Sequence, residues 1–351
     1  MEMRKKFDEI FEDCTKLGTK IKTDEYHSNG KHPIIDQGQE MVAGFTDLED
    51  GLLDVVPAIV FGDHTRIIKY VDCPFFLGAD GVKVLRSKVP NANYRYLYYA
   101  LKNAKIPNTG YNRHYKWLKE LEIEYPPIDQ QVKTVKVLDK VESIIYNRQN
   151  QLQKLDELVK ARFVELFGDP LSNSKGWPEY LLTDVCSAIF GGGTPSKSHP
   201  EYFTGSIPWV SPKDMKMPII SDSIDHITDE AVAHSTTNFV PENSVLMVIR
   251  SGVLKHTLPV AINNIPVTIN QDMKAFVPNS LVTPTFLMYY FKAIESDVLS
   301  GVRGVTADNI DFKSFQKRFL IVPPISVQEK FSSFVEQVNK SKLLQFFCFP
   351  I

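Results

Sequence analysis

The strongest constraint on this chain is an internal repeat. Residues 126–141 and 323–338 lie 197 positions apart and share six identities in sixteen, far more than unrelated segments of that length share. Both segments begin with Pro-Pro-Ile and carry a Gln three residues after that Ile. Solenoid repeats have periods of roughly 20–50 residues, so each copy here is the size of a domain. The chain is therefore a tandem pair of modules.

The repeat continues upstream in shorter matches that keep the same order in both copies. The matching pairs are Glu25-Tyr26 with Glu201-Tyr202, Asp72-Cys73-Pro74-Phe75 with Asn264-Ile265-Pro266-Val267, and Tyr96–Lys102 with Phe286–Lys292. The pattern predicts the order module, helix, module, helix. The corresponding boundaries are 1–126, 127–168, 169–322 and 323–351.

Composition indicates a globular protein and excludes several classes. At 351 residues the chain is long enough for two or three domains, each with its own core. It has no apolar run long enough to span a membrane and a charged N-terminus, so we expect a cytoplasmic protein. Four isolated cysteines predict neither a disulfide framework nor a zinc site. Because the net charge is only −2, any DNA-binding charge must be local.

Short β-branched and aromatic runs predict strands in both modules. They are Ala58–Phe61, Ile67–Tyr70, Val82–Leu85, Val245–Ile249, Val260–Ile262 and Phe319–Val322. Helices are predicted at Tyr94–Lys102 and from Thr285 to about Ser296. Each module is therefore expected to be strand-rich and α+β.

A long helix is predicted from Ile128 to Leu166, since apolar residues recur there every three or four positions without Pro or Gly. Asp129 suits its N-cap, and a helix of about 39 residues is about 58 Å long. Such a stripe needs a partner helix for most of its length, although an ordinary surface helix stays possible. A distal helix of about twenty residues is predicted after a capping box at Ser326–Glu329. The seam residues are Val135, Leu138, Ile145, Leu152, Leu155, Val159, Phe334 and Val338.

Motifs of known chemistry are missing or incomplete. Gly191–Ser198 resembles a P-loop, but Ser196 replaces its second glycine and His199-Pro200 follows in place of a helix. Asp214 and Lys216 form half of a nuclease-like signature without a convincing second acid. No H-E-x-x-H or G-x-S-x-G motif occurs. The sequence therefore predicts no catalytic residue, no metal site and no cofactor.

Loops in both modules instead mix cations, amides and small hydroxyls. Arg reads guanine and Gln reads adenine on base edges, while Lys, Ser and Thr hold phosphates. Each residue alone is typical of a solvated surface, but their clustering in a duplicated scaffold favours DNA binding. The candidates are Lys20, Lys22, Lys31, Gln37, His64, Arg66 and Arg113 in the first module, and Thr194, Ser196, Lys197, Lys213, Arg250, Lys255 and Arg303 in the second.

This layout resembles the specificity subunit of type I restriction–modification systems over nearly the whole chain. The residues that carry the resemblance are the two Pro-Pro-Ile-x-x-Gln helix starts at 126–131 and 323–328, Phe167–Pro170, Gly193–Ser196, Ile207–Val210 and Ile59–Thr65. The resemblance implies two tandem target-recognition domains of α/β type. It also implies long antiparallel coiled-coil helices between them and a pseudo-two-fold repeat.

The resemblance further implies a non-catalytic subunit that binds double-stranded DNA. Each domain would read one half of a bipartite target, and the helices would fix the spacing, on the order of a DNA turn or two. The helices would also dock methyltransferase (modification) subunits, which restriction (translocase-nuclease) subunits join. The short distal helix departs from the family pattern, and we expect a truncated or rearranged allele whose free helix surface pairs with another subunit. A non-catalytic scaffold that binds proteins through duplicated modules stays open as the alternative.

Overall fold

The computed structural model describes residues 4–78, 81–302 and 308–347. The chain divides into two compact units, Met1–Asn147 and Arg148–Ile351. No helix among the described residues is long and apolar enough to cross a membrane.

Strands and short helices make up the first unit. Its strands, within the described residues, are β1 (Arg4–Lys6), β2 (Phe11–Asp13), β3 (His32–Ile35), β4 (Gly44–Thr46), β5 (Ala58–Gly62), β6 (Ile68–Val71), β7 (Phe76–Leu77), β8 (Val82–Ser87) and β9 (Glu122–Glu124). Its helices are α1 (Phe7–Ile10), α2 (Tyr94–Lys102), α3 (Tyr115–Lys119) and the first half of α4 (Ile128–Phe167).

The second unit contains the rest of α4 and the following elements. Its strands, in the part of the chain that the structure describes, are β10 (Glu179–Leu181), β11 (Cys186–Gly191), β12 (Ile207–Val210), β13 (Ile219–Ile220), β14 (His226–Ile227), β15 (Phe239–Val240), β16 (Val245–Val248), β17 (Val260–Asn263), β18 (Val267–Ile269), β19 (Met273–Pro278) and β20 (Phe319–Ile321). Its helices are α5 (Asp229–Ala233), α6 (Pro284–Ala293), α7 (Glu295–Ser300), α8 (Phe312–Phe315) and α9 (Ile325–Phe347).

Two sheets and a short pairing form the frame of the first unit. One sheet has the antiparallel order β2-β8-β5-β6, and the other has the order β4-β3-β7 with β3 and β7 parallel. Strand β1 pairs with β9. All five residues of β5 are buried, as expected of a central strand covered on both faces. Helix α2 packs on this sheet, and its buried Leu97 and Leu101 belong to the same core as Ile59 and Phe61.

The second unit repeats this frame strand for strand. Its sheets have the orders β11-β19-β16-β17 and β14-β12-β18, and each sheet gains one strand, β13 and β15 respectively. The parallel register Ile35↔Leu77 in the first unit corresponds to Val210↔Ile269 in the second. Strand β10 pairs with β20 as β1 pairs with β9. The tandem α+β duplication predicted from the sequence is therefore confirmed.

Buried glutamines set both long helices in place. Gln131 and Gln328 are 1% and 0% exposed, and each Nε2 donates to the carbonyl of the first proline of its motif, Pro126 or Pro323, at 2.8 Å. Helix α4 begins at Ile128, so Asp129 lies inside its first turn rather than at the N-cap. Helix α9 begins at Ile325, so the predicted capping box is wrong. The glutamine makes a different contact from a capping residue, because it donates to a carbonyl before the helix, whereas a cap accepts from a backbone N–H of the first turn.

Other helix bounds agree closely with the sequence pattern. Helix α4 covers the predicted 128–166 with one further residue, and Gly168 then adopts a left-handed conformation with φ of 77°. The helix predicted from Thr285 to Ser296 is instead two helices, α6 and α7, which meet at Ile294. The buried Ile294 ends one helix and begins the next, a break that apolar spacing alone does not show.

In the second unit, α4 and α9 pack antiparallel. Phe163 contacts Phe331 with ring centroids 5.5 Å apart, and the Arg162 guanidinium lies over the Phe334 ring at 5.7 Å. Farther along, Asp156 forms an ion pair with Lys342. Residues that come earlier in α4 thus meet residues that come later in α9. This is the antiparallel helix packing implied by the resemblance.

The buried Gln328 provides a test of this frame. Its Oε1 accepts from the Thr283 N–H at 2.8 Å, and its Nε2 also donates to Leu281 O at 3.0 Å. Gln328→Ala leaves these buried groups unpaired, so we expect the second unit to lose about 1–3 kcal/mol of unfolding free energy. Urea unfolding followed by tryptophan fluorescence measures this in a Trp117→Phe background, where Trp177 and Trp209 report the second unit. Gln337→Ala, exposed on the same helix, should change it by less than about 0.5 kcal/mol; equal effects would contradict the role of Gln328.

Candidate nucleic-acid interface

Loops from several strands of the first unit meet at one edge of its sheets. The parallel strands β3 and β7 both end there, at Ile35 and Leu77. Strand β5 ends at Gly62, opposite the start of β8 at Val82. We call the residues that follow these ends, 36–40, 63–67, Gly78 and Gly81, together with the 103–114 loop, the first edge. Loops at strand ends are free to vary in sequence without changing the sheet, which suits a recognition surface.

Gln37 and His64 lie in contact at the first edge. The His64 backbone N–H donates to Gln37 Oε1 at 3.2 Å, and Thr65 Oγ1 donates to Gln37 O at 2.7 Å. Gly81 has φ of 90°, and a Cβ there would lie 2.8 Å from both Gln37 Oε1 and His64 Cδ2. Only glycine therefore permits this approach of the three loops.

An exposed tyrosine that sequence reasoning missed joins this group. The Tyr111 ring stacks on the His64 ring with centroids 4.7 Å apart and planes 9° apart, yet Tyr111 is 87% exposed. Arg66 donates from Nη1 to Ile106 O at 3.3 Å, which ties its loop to the same segment. Arg113 is exposed and makes no ion pair with any described residue. The available signal was the polar and aromatic mixture of residues 108–115.

A buried histidine fixes the base of the 103–114 loop. His114 is 0% exposed, and its Nδ1 lies 2.9 Å from Asp63 O, which can only accept, so Nδ1 carries the proton. The Asp63 carboxylate in turn accepts from the Tyr115 N–H at 2.6 Å. His114 therefore positions the loop from inside.

Lys69 anchors the loop that carries Gln37, and sequence reasoning missed it. It lies on β6, is 4% exposed, and donates from Nζ to Glu40 O at 2.5 Å and to Asp36 Oδ1 at 3.4 Å. Burial lowers the pKa of Lys69, and the Asp36 carboxylate partly opposes this shift. A lysine within an apolar strand run was the only sequence signal.

The three lysines predicted near the N-terminus separate into two groups. Lys20 forms a parallel bridge with Leu77, which puts it, and Lys22 two residues on, at the first edge. Lys31 precedes β3, whereas Gln37 follows it, so the two lie at opposite ends of that strand. Lys31 Nζ also pairs with Glu49 at 2.8 Å, and this hydrogen bond raises the pKa of Lys31. The structure therefore does not bring Lys31 together with the other candidates.

The second unit has an equivalent edge. Strands β12 and β18 end at Val210 and Ile269, and the Asn270 N–H donates to Val210 O at 2.9 Å. Strand β16 ends at Val248, opposite the start of β19 at Met273. We call residues 192–197, 211–214, 249–255 and 270–272 the second edge. It arises from the same strand ends as the first edge.

The glycine-rich segment of the second unit packs closely against neighbouring backbone and does not form a phosphate-binding loop. A Cβ at Gly192 would lie 1.7 Å from Asn270 O, and Trp209 Nε1 donates to Gly193 O at 3.0 Å. Thr194 follows with its Oγ1 buried and unpaired among the described residues. Ser196 and Lys197 are exposed at the tip, where Ser196 Oγ lies 2.7 Å from Ser198 Oγ. Only a four-residue 3-10 turn comes next, so no helix N-terminus faces this loop.

Arg250 is held at the second edge by Asp272. Its Nε and Nη2 each lie 2.6 Å from Asp272 Oδ1, while its side chain stays 47% exposed. Arg250 is the equivalent of His64 in the first unit. The residue before each makes the same backbone hydrogen bond: the Asp63 N–H donates to Gly81 O at 2.6 Å, and the Ile249 N–H donates to Asp272 O at 2.8 Å. Asp272 itself was not predicted.

The remaining candidates of the second unit are more loosely placed. Lys255 Nζ lies 3.9 Å from Asp308 Oδ2. Lys213 is exposed in the turn after β12 and forms no ion pair with the residues that the structure describes. Arg303 lies outside the described residues. The remaining candidates, Thr194, Ser196, Lys197, Lys213, Arg250 and Lys255, all lie in the loops that form the second edge.

Most of the helix residues predicted to dock subunits already have contacts within the chain. Val135 and Leu138 pack against the first-unit core, and Leu155, Val159, Phe334 and Val338 pack in the second-unit core. Ile145 and Leu152 are half-buried. A three-to-four spacing marks the face toward a helix's own module as readily as a face toward a partner. The exposed apolar side chains of the first half of α4 include Val137, Val141 and Ile144.

The two edges offer guanidinium, ammonium, amide and hydroxyl groups, and this combination suits phosphates and base edges. Among the described residues, no three His, Cys, Asp or Glu side chains are grouped to hold a metal ion.

Comparisons with known proteins agree with this arrangement. A family model described as the type I restriction modification DNA specificity domain matches residues 3–157 and 174–345. The specificity subunit of the type I restriction enzyme EcoR124I/EcoR124II from Escherichia coli is 29% identical over 335 residues, which cover 91% of this chain and 82% of that protein. The MjaIX specificity subunit from Methanocaldococcus jannaschii is 31% identical over 134 residues, 37% of this chain and 30% of that protein.

Solved structures show a similar fold. The type I restriction-modification S subunit from M. genitalium aligns with a TM-score of 0.59 at 16% identity, over 97% of this chain and 89% of that one. A chain from a structural study of complex assembly and conformational transition of the type I R-M system aligns with a TM-score of 0.52 at 15% identity, over 97% and 91%.

The Lys69 anchor gives a local prediction. Lys69→Met removes the donor to Glu40 O and Asp36, so we expect faster amide hydrogen exchange across residues 36–41. Hydrogen–deuterium exchange with mass spectrometry measures this directly. Lys22→Met, an exposed lysine at the same edge, should leave exchange in this loop unchanged. Unaltered exchange in Lys69→Met would show that the loop is held by other contacts.

Proposed function

Because the chain belongs to the family of type I restriction modification DNA specificity domains, we propose that it is the non-catalytic subunit that reads the DNA target of such a complex. Each unit reads one half of a bipartite double-stranded site. The observation that supports this most is the pair of equivalent edges, which share a frame but carry different polar side chains.

The first edge reads its half-site with a group of unlike side chains. Gln37 and Arg66 supply the amide and guanidinium groups that discriminate adenine and guanine in the major groove. His64 and Tyr111 form a rigid stacked pair at the surface, with hydrogen-bonding atoms on both rings. Arg113 adjoins this pair, and Lys20 and Lys22 contribute charge for phosphates.

The second edge reads its half-site chiefly through Arg250. The Asp272 carboxylate fixes the direction of the guanidinium, so less conformational entropy is lost when the side chain meets a guanine. Lys197, Lys213 and Lys255 contact phosphates, as does Ser196, whereas the buried Oγ1 of Thr194 does not reach the DNA. Since the net charge of the chain is −2, these local cations provide the attraction to DNA.

The long helices set the distance between the two half-sites. Helix α4 has 40 residues, which corresponds to about 60 Å. Outward-facing parts of α4 and α9 dock two methyltransferase subunits, and restriction subunits join that assembly. The recognition domains correspond to residues 1–126 and 169–322, and the helical segments to 127–168 and 323–351.

Selection from randomised DNA tests the proposal. The full chain is combined with a type I methyltransferase subunit, and bound duplexes are recovered and sequenced. We expect two short conserved half-sites separated by a gap of constant length. No enrichment, together with stable binding to the methyltransferase subunit, would instead identify a protein scaffold. A single uninterrupted site would contradict the two-reader interpretation.

Single substitutions should separate the two half-sites. Arg250→Ala removes the guanidinium at the second edge, so we expect discrimination at one half-site to fall by about 1–3 kcal/mol per base pair while the other half stays unchanged. Tyr111→Ala should have the reciprocal effect. Competition binding against half-site variants measures both.

Arg318→Ala is the matched control, because Arg318 is also ion-paired, with Asp297, but lies outside the second edge. It should leave both half-sites unchanged. Equal loss at both half-sites in Arg250→Ala would rule out independent reading.

Salt dependence should distinguish the phosphate contacts. Lys213→Met removes one cation, so the slope of log K against log salt should fall in magnitude by about 0.9, equally for all sequences. Lys31→Met is the control, since Lys31 is paired with Glu49 away from the first edge. The slope of log K against log salt for Lys31→Met should match that of the unmodified protein. A slope of smaller magnitude would show that Lys31 also contacts phosphates and that the interface extends toward Glu49.

A further inference from the structure

An open groove lies on the first unit between α2, β9 and α4. It has a volume of about 670 Å³, and its lining includes Tyr96, Tyr99, Leu138 and Val141. Val141 is 45% exposed on its wall. The groove lies apart from the first edge, so the DNA-reading residues do not account for it.

The internal repeat identifies the counterpart of this groove in the second unit. The same local contacts occur in both units. Asn93 caps α2 and Thr283 caps α6, and each side chain accepts from the backbone N–H three residues on at 3.1 Å. Gln131 and Gln328 begin α4 and α9 in the same way. The groove residues Tyr96, Tyr99, Thr134, Leu138 and Val141 therefore correspond to Phe286, Tyr289, Phe331, Val335 and Val338.

A helix covers that counterpart. Phe163, in the second half of α4, lies 5.9 Å from Phe286 and 5.5 Å from Phe331 between ring centroids. Phe167 contacts the same two rings at 4.9 Å and 5.4 Å. Two phenylalanines four residues apart on one amphipathic helix thus fill the space between α6 and α9.

The exposed fractions of equivalent valines show how much apolar surface the covering helix buries. Val335 and Val338 are only 4% and 6% exposed, whereas Val141, the equivalent of Val338, is 45% exposed. Thr134 also replaces Phe331, which leaves room for a ring from an incoming helix. An apolar surface of this kind is covered in one copy of the repeat and open among the described residues in the other.

Charge at the rim distinguishes the two copies. Burial lowers the pKa of Lys292, and Asp156 of the covering helix opposes that shift. Lys102 is the equivalent of Lys292 and lines the groove, where its Nζ pairs with Glu142 of α4 at 2.6 Å. The groove therefore already has a carboxylate beside its lysine, and the part of the template that it lacks is the pair of aromatic rings.

We propose that this groove binds an amphipathic α-helix of another polypeptide, one that carries two aromatic residues four positions apart. The proposal stands on the repeat alone and does not depend on DNA reading. The second half of α4 is the template for the ligand, so a peptide of residues 149–168 serves as the probe.

Fluorescence anisotropy of the labelled peptide with the full chain tests the proposal. We expect saturable binding that weakens about tenfold or more in Val141→Asp, because a carboxylate then enters an apolar wall. Val137→Asp is the matched control: Val137 is 63% exposed on the same helix, does not line the groove, and should bind the peptide as the unmodified chain does. A peptide with Phe163→Ser and Phe167→Ser should not bind.

A second variant keeps the test independent of folding effects. Ala100→Trp should fill the groove and block the peptide while circular dichroism stays unchanged. Lack of saturable binding, or equal weakening in both valine variants, would overturn the proposal. Sedimentation velocity supplies the last outcome: dimers that dissociate in Val141→Asp would show a second copy of this chain as the occupant and overturn the assignment to another polypeptide.

Discussion

Helix α4 belongs to two hydrophobic cores, and the rest of the structure depends on this. Its first half joins α2 through Arg95, which pairs with Asp139 and Glu142, and through Tyr99, whose hydroxyl lies 2.7 Å from Asp139 Oδ1 and 2.9 Å from Glu142 Oε2. Burial opposes the charge on both carboxylates, but hydrogen bonds from Arg95 and Tyr99 lower the pKa of Asp139, and hydrogen bonds from Lys102 and Tyr99 lower the pKa of Glu142. Its second half joins the other unit through Phe163 and Phe167. One helix is therefore fixed by polar contacts at one end and by aromatic packing at the other.

The duplicated frame separates stability from recognition. Both units keep the same strand register and the same buried glutamine at the helix start, so these features hold the fold. The edges differ freely: His64 with its stacked Tyr111 in one unit takes the place of Arg250 with Asp272 in the other. Under the proposed function, such an arrangement allows the sequence read at each half-site to change while the core and the helices stay constant.

The sequence predicted the duplication, the strand runs and α4 to within one residue, because periodicity and proline or glycine boundaries report local structure directly. It did not predict the break between α6 and α7, which depends on burial of Ile294, or the role of Gln131 and Gln328, whose contacts form only in the folded chain. At the edges, the sequence identifies His64 and Arg250 as polar loop residues, but only the strand pairing of the fold shows that they occupy equivalent positions. Tyr111, Lys69 and Asp272 were missed because their roles come from contacts across loops. The apolar seam was recognised, but spacing could not tell which of its residues face their own module.

We propose that the two units read their half-sites independently and that α4 sets the gap between those half-sites. The most direct measurement inserts seven residues of helix-forming sequence between Asn147 and Arg148 and repeats the selection from randomised DNA. Seven residues turn the helix nearly two full turns and lengthen it by about 10 Å, equivalent to about three base pairs of DNA. We expect unchanged half-site sequences separated by a gap about three base pairs longer. An unchanged gap, or a change in either half-site sequence, would contradict the proposal.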